Sequence, residues 1–345
     1  MRNSSVALKL LNTFAIDVRA RSIVTAHSES ELLKLWWKAS ERNQPILVLG
    51  GGSNVLFLEN YLGTVLLNRI NGIKISEDTE AWYVHVNAGE IWHNLVNICL
   101  DRRMPGLENL AMIPGYVGSA PIQNIGAYGV ELKQVCEYVD IIQLETGTKI
   151  RLSAVDCQFG YRESIFKHDL REHNVIVSVC LRLTKDWKPV LNYGDLTRFN
   201  AQQVTPRQIY EMVCKMRRNK LPDPTLVGNA GSFFKNPIID SSEAKDLLHR
   251  YPDVPYYPQL DGRVKLAAGW LIDHCGLKGY KLGGAALHDE QALILINTGK
   301  ANGSDIVSLA RYIRRKIADQ FSIWLEPEVR FISALGEVDA KGVVS

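Results

Sequence analysis

The chain has few of the features that mark secreted, membrane or nucleic-acid-binding proteins. Its 345 residues contain no apolar run that approaches the roughly 18 residues of a membrane span, and residues 1–8 do not form a secretory signal. The 40 basic and 37 acidic residues nearly balance, so the net charge of +3 gives no general basis for binding nucleic acid. We therefore expect a cytoplasmic protein without membrane insertion and without a nucleic-acid partner.

Cysteine is also sparse, and histidine is scattered. The six cysteines stand at least 21 residues apart, and none of the eight histidines belongs to an HExxH pattern. These spacings contain neither a CxxC redox pair nor a metal-binding pattern. We predict reduced, mostly buried thiols and no bound metal.

The patterns that are present predict a mixed α and β protein of two or three domains. Short apolar runs bounded by Gly or Pro predict strands through residues 46–185, and Ser28 with Glu31 forms a capping box ahead of a helix. Pro206 opens a further helix, whose basic cluster of Lys215, Arg217 and Arg218 is most simply a solvated helix end near the negative pole of the dipole. Residues 220–224 break that helix and mark a domain boundary, beyond which a smaller α/β domain is expected.

Two glycine-rich loops and one short segment suggest chemistry. Residues 50–54 read Gly-Gly-Gly-Ser-Asn and lead into a strand, which differs from the helix that follows a Rossmann fingerprint. Residues 113–129 form a long loop rich in Gly and Pro. Residues 228–237 place the hydroxyl of Ser232 among glycines, amides, aromatic rings and a lysine, an assortment that suits a ligand pocket better than a core. A turn before a short strand explains the last segment about equally well on its own residues.

Five segments together resemble one enzyme family. Residues 50–54, 113–129, 159–166, 228–237 and 324–331 occur in the order found in UDP-N-acetylenolpyruvoylglucosamine reductases, and the resemblance covers about residues 12–331. Residues 251–259, which carry three tyrosines, are similar to the mobile loop of the longer subclass, which folds over bound substrate.

The resemblance implies a fold of the α+β class. A two-part FAD-binding domain of the vanillyl-alcohol/p-cresol oxidase type would occupy residues 1–220, with subdomains of about 1–70 and 71–220. A smaller α/β substrate-binding domain would span 221–328, and residues 329–345 would return to the FAD domain. Ser53 and Asn54 stand where those oxidases often carry a histidine that bonds to the flavin, so non-covalent FAD is implied.

The resemblance also implies a reaction and its ligands. NADPH would reduce the flavin and leave, and UDP-N-acetylglucosamine enolpyruvate would then be reduced to UDP-N-acetylmuramate for peptidoglycan, cell-wall growth and cell division. The enol-like intermediate needs a cation, a proton donor and a polarising partner. By position, Ser232 resembles the family's proton donor, and Arg162 and Glu328 resemble the pair that stabilises the intermediate. Without the family, Arg162 would be interpreted as a surface partner of Glu163, and Glu328 as a strand-edge charge beside Arg330.

The ligand-binding residues are carried over in the same way. The residues implied to hold FAD are Gly50, Gly51, Gly52, Ser53, Asn54, Ile113, Pro114, Gly115, Gly118, Ser119, Ile122, Asn124, Gly126, Ala127, Tyr128 and Ile176. The residues implied to surround the sugar nucleotide are Tyr161, Tyr193, Lys220, Asn236, Tyr257, Lys265 and Gln291. Tyr116 departs from the family, which usually has a small residue at this position.

Two other function classes fit parts of the sequence. Another FAD-dependent oxidoreductase of the same fold could act on an alcohol or a sugar, but it would not need Ser232 or Glu328. A nucleotide-sugar-binding module without turnover would not need the Ser, Arg and Glu set. A serine hydrolase is disfavoured because Ser232 does not lie in a GxSxG elbow. The near-neutral charge does not predict an oligomer, and a monomer is expected.

Overall fold

The computed structural model describes residues 5–345, which form two compact units built from interleaved segments. Residues 22–51 and 63–219 form one unit, called here the central unit. Residues 5–21, 52–62 and 220–345 form the other, called here the terminal unit. The compact units thus group the first 62 residues differently from the predicted domain boundaries, which remain a prediction about where the ligand-binding domains divide.

The central unit is built around a five-stranded antiparallel sheet. Buried and exposed side chains alternate little in the central strands of that sheet, because most side chains there are buried. This burial explains the continuous apolar runs of these strands. The strand order is Lys149–Ser153, Cys136–Gln143, Asn174–Thr184, Ala81–Asn87 and Ile73–Glu77. The prediction of strands through residues 46–185 is confirmed by these elements.

Three helices pack in the central unit, and the two with a capping or proline signal start where the sequence predicts. Ser28 caps the helix Glu29–Ser40 by accepting a hydrogen bond from the Glu31 N–H at 3.1 Å, and the Glu31 carboxylate accepts from the His27 N–H at 2.8 Å. The other two helices are Trp92–Asp101 and Pro206–Lys220. Trp92 is 1% exposed and donates to the Leu110 carbonyl at 3.0 Å, so this ring belongs to the core.

A second sheet carries the chain between the units. Its order is Val6–Ala7, Arg19–Ala26, Tyr61–Asn68 and Ile46–Leu49, and its last two strands are parallel. The strands Arg19–Ala26 and Tyr61–Asn68 each begin in the terminal unit and continue into the central unit. Residues 50–54, which follow the strand Ile46–Leu49, therefore also cross from one unit to the other.

The terminal unit has three small sheets. A four-stranded sheet carries the Ser232 segment, and its order is Asn229–Ser232, Ile294–Asn297, Ala285–Leu287 and Lys281–Leu282. The other two sheets have the orders Ile238–Ile239, Val264–Leu266, Tyr256–Pro258 and Glu337–Val338, Arg330–Ile332, Val55–Phe57. Within the last sheet, Arg330–Ile332 runs parallel to Val55–Phe57, so strands far apart in sequence are neighbours.

The helices of the terminal unit cover these sheets. The long helix Gly303–Phe321 begins at a capping box between Asn302 and Asp305 and ends at Ser322, whose φ of +59° is left-handed. Buried side chains such as Ile306, Ile313 and Ile317 face inward from it. The shorter helices are Ser241–Arg250, Ala268–His274 and Ala340–Val343.

Two expectations from composition can be compared with the fold. Across residues 5–345, no helix combines the length and the apolar character that a membrane span requires. All six cysteines are free, five of them are buried, and Cys275 is partly exposed, which confirms the predicted thiol state.

Candidate functional site

Ser232 is the last residue of the strand Asn229–Ser232, which pairs with the strand Ile294–Asn297. Gly231 has a left-handed φ of +72°, and no atom lies within 4 Å of where its Cβ would be, so the main chain is open at this point. The hydroxyl-bearing residue that follows is exposed. Phe233 and Phe234 are 0% and 1% exposed, so these two rings belong to the core and not to a ligand pocket, contrary to the expectation for this segment.

Glu328 is held beside the Ser232 segment within the terminal unit. Its N–H donates to the Phe233 carbonyl at 2.8 Å, and an isolated antiparallel bridge joins Phe234 to Pro327. The side chain of Asn54 donates to the Glu328 carbonyl at 3.3 Å, which ties the glycine-loop residue to the same place. The unit thus brings two of the three predicted catalytic residues onto adjacent stretches of backbone.

The predicted sugar-nucleotide residues of the terminal unit are partly or fully exposed. Tyr257 and Lys265 are paired on neighbouring strands, and the Lys265 ammonium lies 5.8 Å from the Tyr257 ring centre. Asn236 accepts a hydrogen bond from the Ala268 N–H at 3.0 Å, which fixes the start of a helix. Gln291 is partly exposed ahead of the strand that pairs with Ser232, and Lys220 ends the helix Pro206–Lys220.

In the central unit, the two glycine-rich loops meet at Tyr116. A Cβ on Gly51 would lie 3.0 Å from the Tyr116 ring, and one on Gly50 would lie 3.6 Å from the Ser119 hydroxyl. The Arg69 guanidinium covers the Tyr116 ring at 4.4 Å and donates to the Gly50 carbonyl at 3.1 Å. A side chain at position 51 would therefore have to displace the Tyr116 ring by a few tenths of an ångström, because this ring packs directly on Gly51.

Arg162 is held against the second loop. Its Nη2 donates to the Gly126 carbonyl at 2.9 Å, and its guanidinium lies 5.5 Å from the Tyr161 ring centre. Glu163 pairs with His168 at 3.2 Å. The left-handed φ of +54° at Arg162 marks a locally strained turn that aims this side chain.

Asn124 supports Arg162 from within the loop. It is 0% exposed, has a left-handed φ of +42°, and donates to the Gly160 carbonyl at 2.9 Å. Its Oδ1 accepts from the Lys133 N–H at 2.9 Å. Its side chain therefore ties the loop to Lys133 and to Gly160, two residues before Arg162.

Tyr128 links the loop to Tyr193. The two rings stand edge to face at 6.0 Å, and buried Asn109 donates to the carbonyls of Tyr128 and Val190 at 2.8 and 3.0 Å. Burial raises the pKa of Tyr128, an effect that the nearby charge of Arg217 opposes. Asn109 and Arg217 were not predicted as site residues, and no sequence pattern distinguishes them from other polar positions.

Arg217 also corrects the interpretation of its helix end as a solvated basic cluster. Its Nε is buried, and burial lowers the pKa of the guanidinium. Arg218, the next residue, is exposed as predicted. Helical periodicity explains the difference, because positions 213, 214, 216 and 217 face inward together.

The remaining predicted cofactor residues follow the same two loops. Ile176 lies at 8% exposure in the long strand Asn174–Thr184. Gly52 and Ser53 lie in the terminal unit beside Asn54. The rest occupy the loop in the central unit, and they are Ile113, Pro114, Gly115, Gly118, Ser119, Ile122, Gly126 and Ala127.

The residues of the central unit fit a flavin nucleotide. Residues 50–51 and 113–129, which belong to this unit, contain no acidic residue, so their main-chain N–H groups, hydroxyls and amides can meet a pyrophosphate without repulsion. Ile113, Ile122 and Ala127 pack on the core yet stay partly exposed, which leaves apolar surface for an aromatic ring. The open main chain at Gly115, with φ of +111°, allows close approach.

Comparisons with known proteins identify the family of the chain. Residues 20–153 match the model of an FAD binding domain, and residues 223–332 match that of the UDP-N-acetylenolpyruvoylglucosamine reductase C-terminal domain. The chain is 58% identical over 334 residues to the UDP-N-acetylenolpyruvoylglucosamine reductase of Salmonella typhi, covering 97% of this chain and 98% of the relative. It is 58% identical over 339 residues to the same enzyme of Escherichia coli K12, covering 98% and 99%.

A solved structure has the same fold. The UDP-N-acetylenolpyruvylglucosamine reductase from Thermus caldophilus matches with a TM-score of 0.64 at 24% identity, covering 96% of this chain and 99% of that one. The predicted fold class, an α+β protein with an FAD-binding domain and a smaller second domain, is confirmed. By sequence identity over nearly its whole length, the chain belongs to the UDP-N-acetylenolpyruvoylglucosamine reductase family.

Proposed function

We propose that Ser232, Arg162 and Glu328 perform the acid–base part of the reaction of this family. The protein is an FAD-dependent oxidoreductase that uses NADPH to reduce UDP-N-acetylglucosamine enolpyruvate to UDP-N-acetylmuramate. The observation that carries the proposal is the pairing of the Ser232 and Glu328 segments, joined by the Glu328 N–H to Phe233 carbonyl hydrogen bond of 2.8 Å.

Bound FAD would supply the redox chemistry by transferring a hydride equivalent from NADPH to the vinyl CH2 carbon of the substrate. As that carbon gains its bond to hydrogen, the electron pair of the double bond moves onto the adjacent carbon and its carboxylate. The fixed positive charge of Arg162 stabilises this enolate. Ser232 donates its hydroxyl proton to the adjacent carbon, and solvent restores that proton afterwards.

The residues that would hold FAD are the loops 50–54 and 113–129 with Ile176. Main-chain N–H groups of the loops would bind the pyrophosphate, and Ile113 and Ile122 would offer apolar side chains to the flavin ring. Ser53 and Asn54 offer no nucleophilic ring nitrogen, which supports a non-covalent cofactor.

The sugar nucleotide would be held by tyrosine, lysine and amide side chains. Exposed Tyr257 and its neighbour Lys265 suit a phosphate and a sugar, because one gives a hydroxyl donor and the other an ammonium. Tyr161, Tyr193, Lys220, Asn236 and Gln291 complete the set. We infer a cytoplasmic location from the nucleotide substrates, and a monomer.

The replacement Ser232→Ala tests the central role. We expect reduction of FAD by NADPH to keep its rate, because that half-reaction needs no proton from Ser232. Reoxidation by the enolpyruvyl UDP-sugar should slow about 10²- to 10⁴-fold, the usual contribution of general acid catalysis. Stopped-flow absorbance of the flavin measures both half-reactions separately.

Ser333→Ala provides a matched control in the same unit. Its hydroxyl donates to the Gly336 carbonyl at 2.9 Å within a turn, so both half-reactions should keep their rates. Reoxidation of Ser232→Ala at the wild-type rate would remove Ser232 from the proton step.

A further inference from the structure

Arg314 is a buried arginine that holds the segment leading to Glu328. It lies in the helix Gly303–Phe321 and is 6% exposed. Its Nε donates to the Leu325 carbonyl at 2.7 Å, and its Nη1 donates to the Val344 carbonyl. One guanidinium therefore joins the long helix to two other stretches of the terminal unit.

The backbone of residues 325–328 shows why this donor is needed. Two hydrogen bonds join it to the Ser232 segment, from the Lys235 N–H to the Glu326 carbonyl at 2.9 Å and from the Glu328 N–H to the Phe233 carbonyl at 2.8 Å. Neighbouring carbonyls of a paired strand point to opposite sides, so the Leu325 carbonyl faces away from the Ser232 segment. Leu325 is 0% exposed, and a buried carbonyl needs a hydrogen-bond donor, which Arg314 supplies.

Two further contacts hold the guanidinium and the segment in place. The guanidinium carbon of Arg314 lies 5.2 Å from the centre of the Trp324 ring, within the range of a cation–π contact. Lys341, in the C-terminal helix Ala340–Val343, pairs with Glu326 at 2.6 Å, an exposed ion pair that contributes little by itself. The segment is thus held on one side by the Ser232 segment and on the other by Arg314.

We propose that Arg314 is a positioning residue for Glu328, which it acts on by fixing the backbone three residues earlier. A planar guanidinium can bind two carbonyls in a fixed geometry, which the single ammonium of lysine does not reproduce. The inference rests on the proposed function, in which Glu328 helps to stabilise the enol-like intermediate. Small displacements of such a group slow a reaction strongly.

Arg314→Met tests this role, because it removes both hydrogen bonds and keeps an apolar stem. In stopped-flow experiments on the FAD holoenzyme, we expect reduction by NADPH to keep its rate. Reoxidation by the enolpyruvyl UDP-sugar should slow about 10- to 100-fold. Arg314→Lys keeps the charge and should give a rate between those of Arg314→Met and the wild type. If Arg314→Met does not fold, a wild-type reoxidation rate in Arg314→Lys would still contradict the proposal.

Arg311→Met is the matched control. Arg311 lies about one turn earlier on the same helix, and it donates to the Val343 carbonyl from Nε at 3.0 Å and from Nη2 at 2.6 Å. The control therefore removes an arginine and two hydrogen bonds to the C-terminal residues while the bond between Arg314 and Leu325 remains. Both half-reactions should keep their rates.

Hydrogen–deuterium exchange tests the placement of the segment without turnover. The amides of Lys235 and Glu328 carry the hydrogen bonds that join the two stretches of backbone. In the oxidised holoenzyme, Arg314→Met should speed exchange in the peptides that contain these amides, because the segment opens more often when one side is released. Arg311→Met should not change it. Unchanged exchange in Arg314→Met would overturn the proposal.

A double-mutant cycle separates this inference from the proposed function. If Arg314 acts through Glu328, adding Arg314→Met to Glu328→Gln should slow reoxidation further by no more than about two-fold. Normal reoxidation by Glu328→Gln alone would reject the proposed role of Glu328 and the positioning role with it. If Glu328→Gln is slow, the inference on Arg314 alone is overturned by normal reoxidation in Arg314→Met, by equal slowing of both half-reactions, or by additive effects in the double variant.

Discussion

At the scale of single residues, Asn229 organises the backbone that presents Ser232. It is 4% exposed, its Oδ1 accepts from the Gly231 N–H at 2.9 Å, and its Nδ2 donates to the carbonyls of Pro222 and Val227 at 3.1 and 2.8 Å. One side chain therefore fixes the left-handed turn that precedes Ser232 and the chain that follows Lys220.

The replacement Asn229→Ala should impair the proton step more than flavin reduction. Loss of the bond to Gly231 frees the turn, so we expect reoxidation by the enolpyruvyl UDP-sugar to slow at least about ten-fold, since small misplacements of a reacting group are costly. Stopped-flow half-reactions measure this effect, and hydrogen–deuterium exchange over residues 222–233 should be faster.

Asn297→Ala is the matched control for Asn229. Asn297 is 7% exposed and uses its side chain to bind the carbonyls of Phe14 and Ala15 and the N–H groups of Gly299 and Ala301. The replacement Asn297→Ala should lower the stability of the protein without slowing the proton step more than flavin reduction. Equal slowing of both half-reactions by Asn229→Ala would reduce its role to general stability.

Sequence indicated residues of distinctive chemistry better than residues of ordinary type. Ser232 stands out because it lies in a segment of distinctive composition, whereas Glu328 is singled out only by the family resemblance. Asn109 and Asn229 could not be identified, because their importance comes from burial and from partners that the fold supplies. The rings of Phe233 and Phe234 were misinterpreted for the same reason, since composition does not tell which face of a short strand is buried.

At the scale of elements, Asp140 joins three strands of the central sheet. It is 1% exposed, accepts from Arg151 Nε at 2.8 Å and from the Ser178 hydroxyl at 2.9 Å, and the Arg151 guanidinium covers the Tyr138 ring at 3.7 Å. Burial raises the pKa of Asp140, but the hydrogen bonds from Arg151 and Ser178 lower it more, so the net pKa is depressed.

The replacement Asp140→Asn should destabilise the protein in a pH-dependent way. At pH 7 we expect the free energy of unfolding to fall by about 1–3 kcal/mol, although solvent screens the half-exposed Arg151. Because the folded pKa lies below the unfolded value of 3.8, the wild-type advantage is present above that pH and is lost as pH falls through the folded pKa.

Urea unfolding at pH 7 and near pH 3 measures this change. Glu80→Gln, which removes an exposed ion pair with Arg182, should have no measurable effect at either pH. A destabilisation by Asp140→Asn of the same size at both pH values would contradict a charged, hydrogen-bonded Asp140.

Elements with strong local signals could be predicted, and elements without them could not. The helices that begin after Ser28 and at Pro206 have capping or proline signals, and they start where predicted. The short strands Ile238–Ile239 and Tyr256–Pro258 form only because Val264–Leu266 lies between them. Such pairing is set by tertiary contacts, which a local pattern does not contain.

At the scale of the whole molecule, the thiols are inert. Burial raises the pKa of Cys99 and Cys157 to about 12 and that of Cys180 to about 11. Cys275 is partly exposed, its thiol donates to Gln320 at 3.1 Å, and burial raises its pKa too. Reactive thiolate is therefore scarce at neutral pH throughout the described residues.

Native protein treated with a thiol reagent at pH 7.5 should react at one cysteine at most within minutes. Unfolding in guanidinium should expose all six cysteines. Colour development with a disulfide reagent counts the thiols that react in the native protein and those that react after unfolding. Cys275→Ser serves as the control and should abolish the reaction of the native protein. Rapid native labelling of several thiols would contradict the buried arrangement.

The overall fold class could be predicted from sequence, but the path of the chain between units could not. A strand-rich region from residue 46 to 185 with few helices indicates an α+β protein, whereas nothing local shows that residues 5–21 and 52–62 join a unit completed beyond residue 220. Grouping of this kind depends on contacts between segments that are far apart in sequence, such as Val55–Phe57 with Arg330–Ile332.

That interleaving has a consequence for how the protein is made. During translation, residues 22–219 leave the ribosome early enough to fold while synthesis continues, because domains fold as units in the order in which they emerge. The Phe14 ring packs on Phe233, and the strand Val55–Phe57 pairs with Arg330–Ile332, so both contact residues that are synthesised much later. Phe14 and the strand Val55–Phe57 therefore lack these native contacts for most of synthesis, and a chain truncated before Arg330 contains the central unit but cannot complete the terminal one.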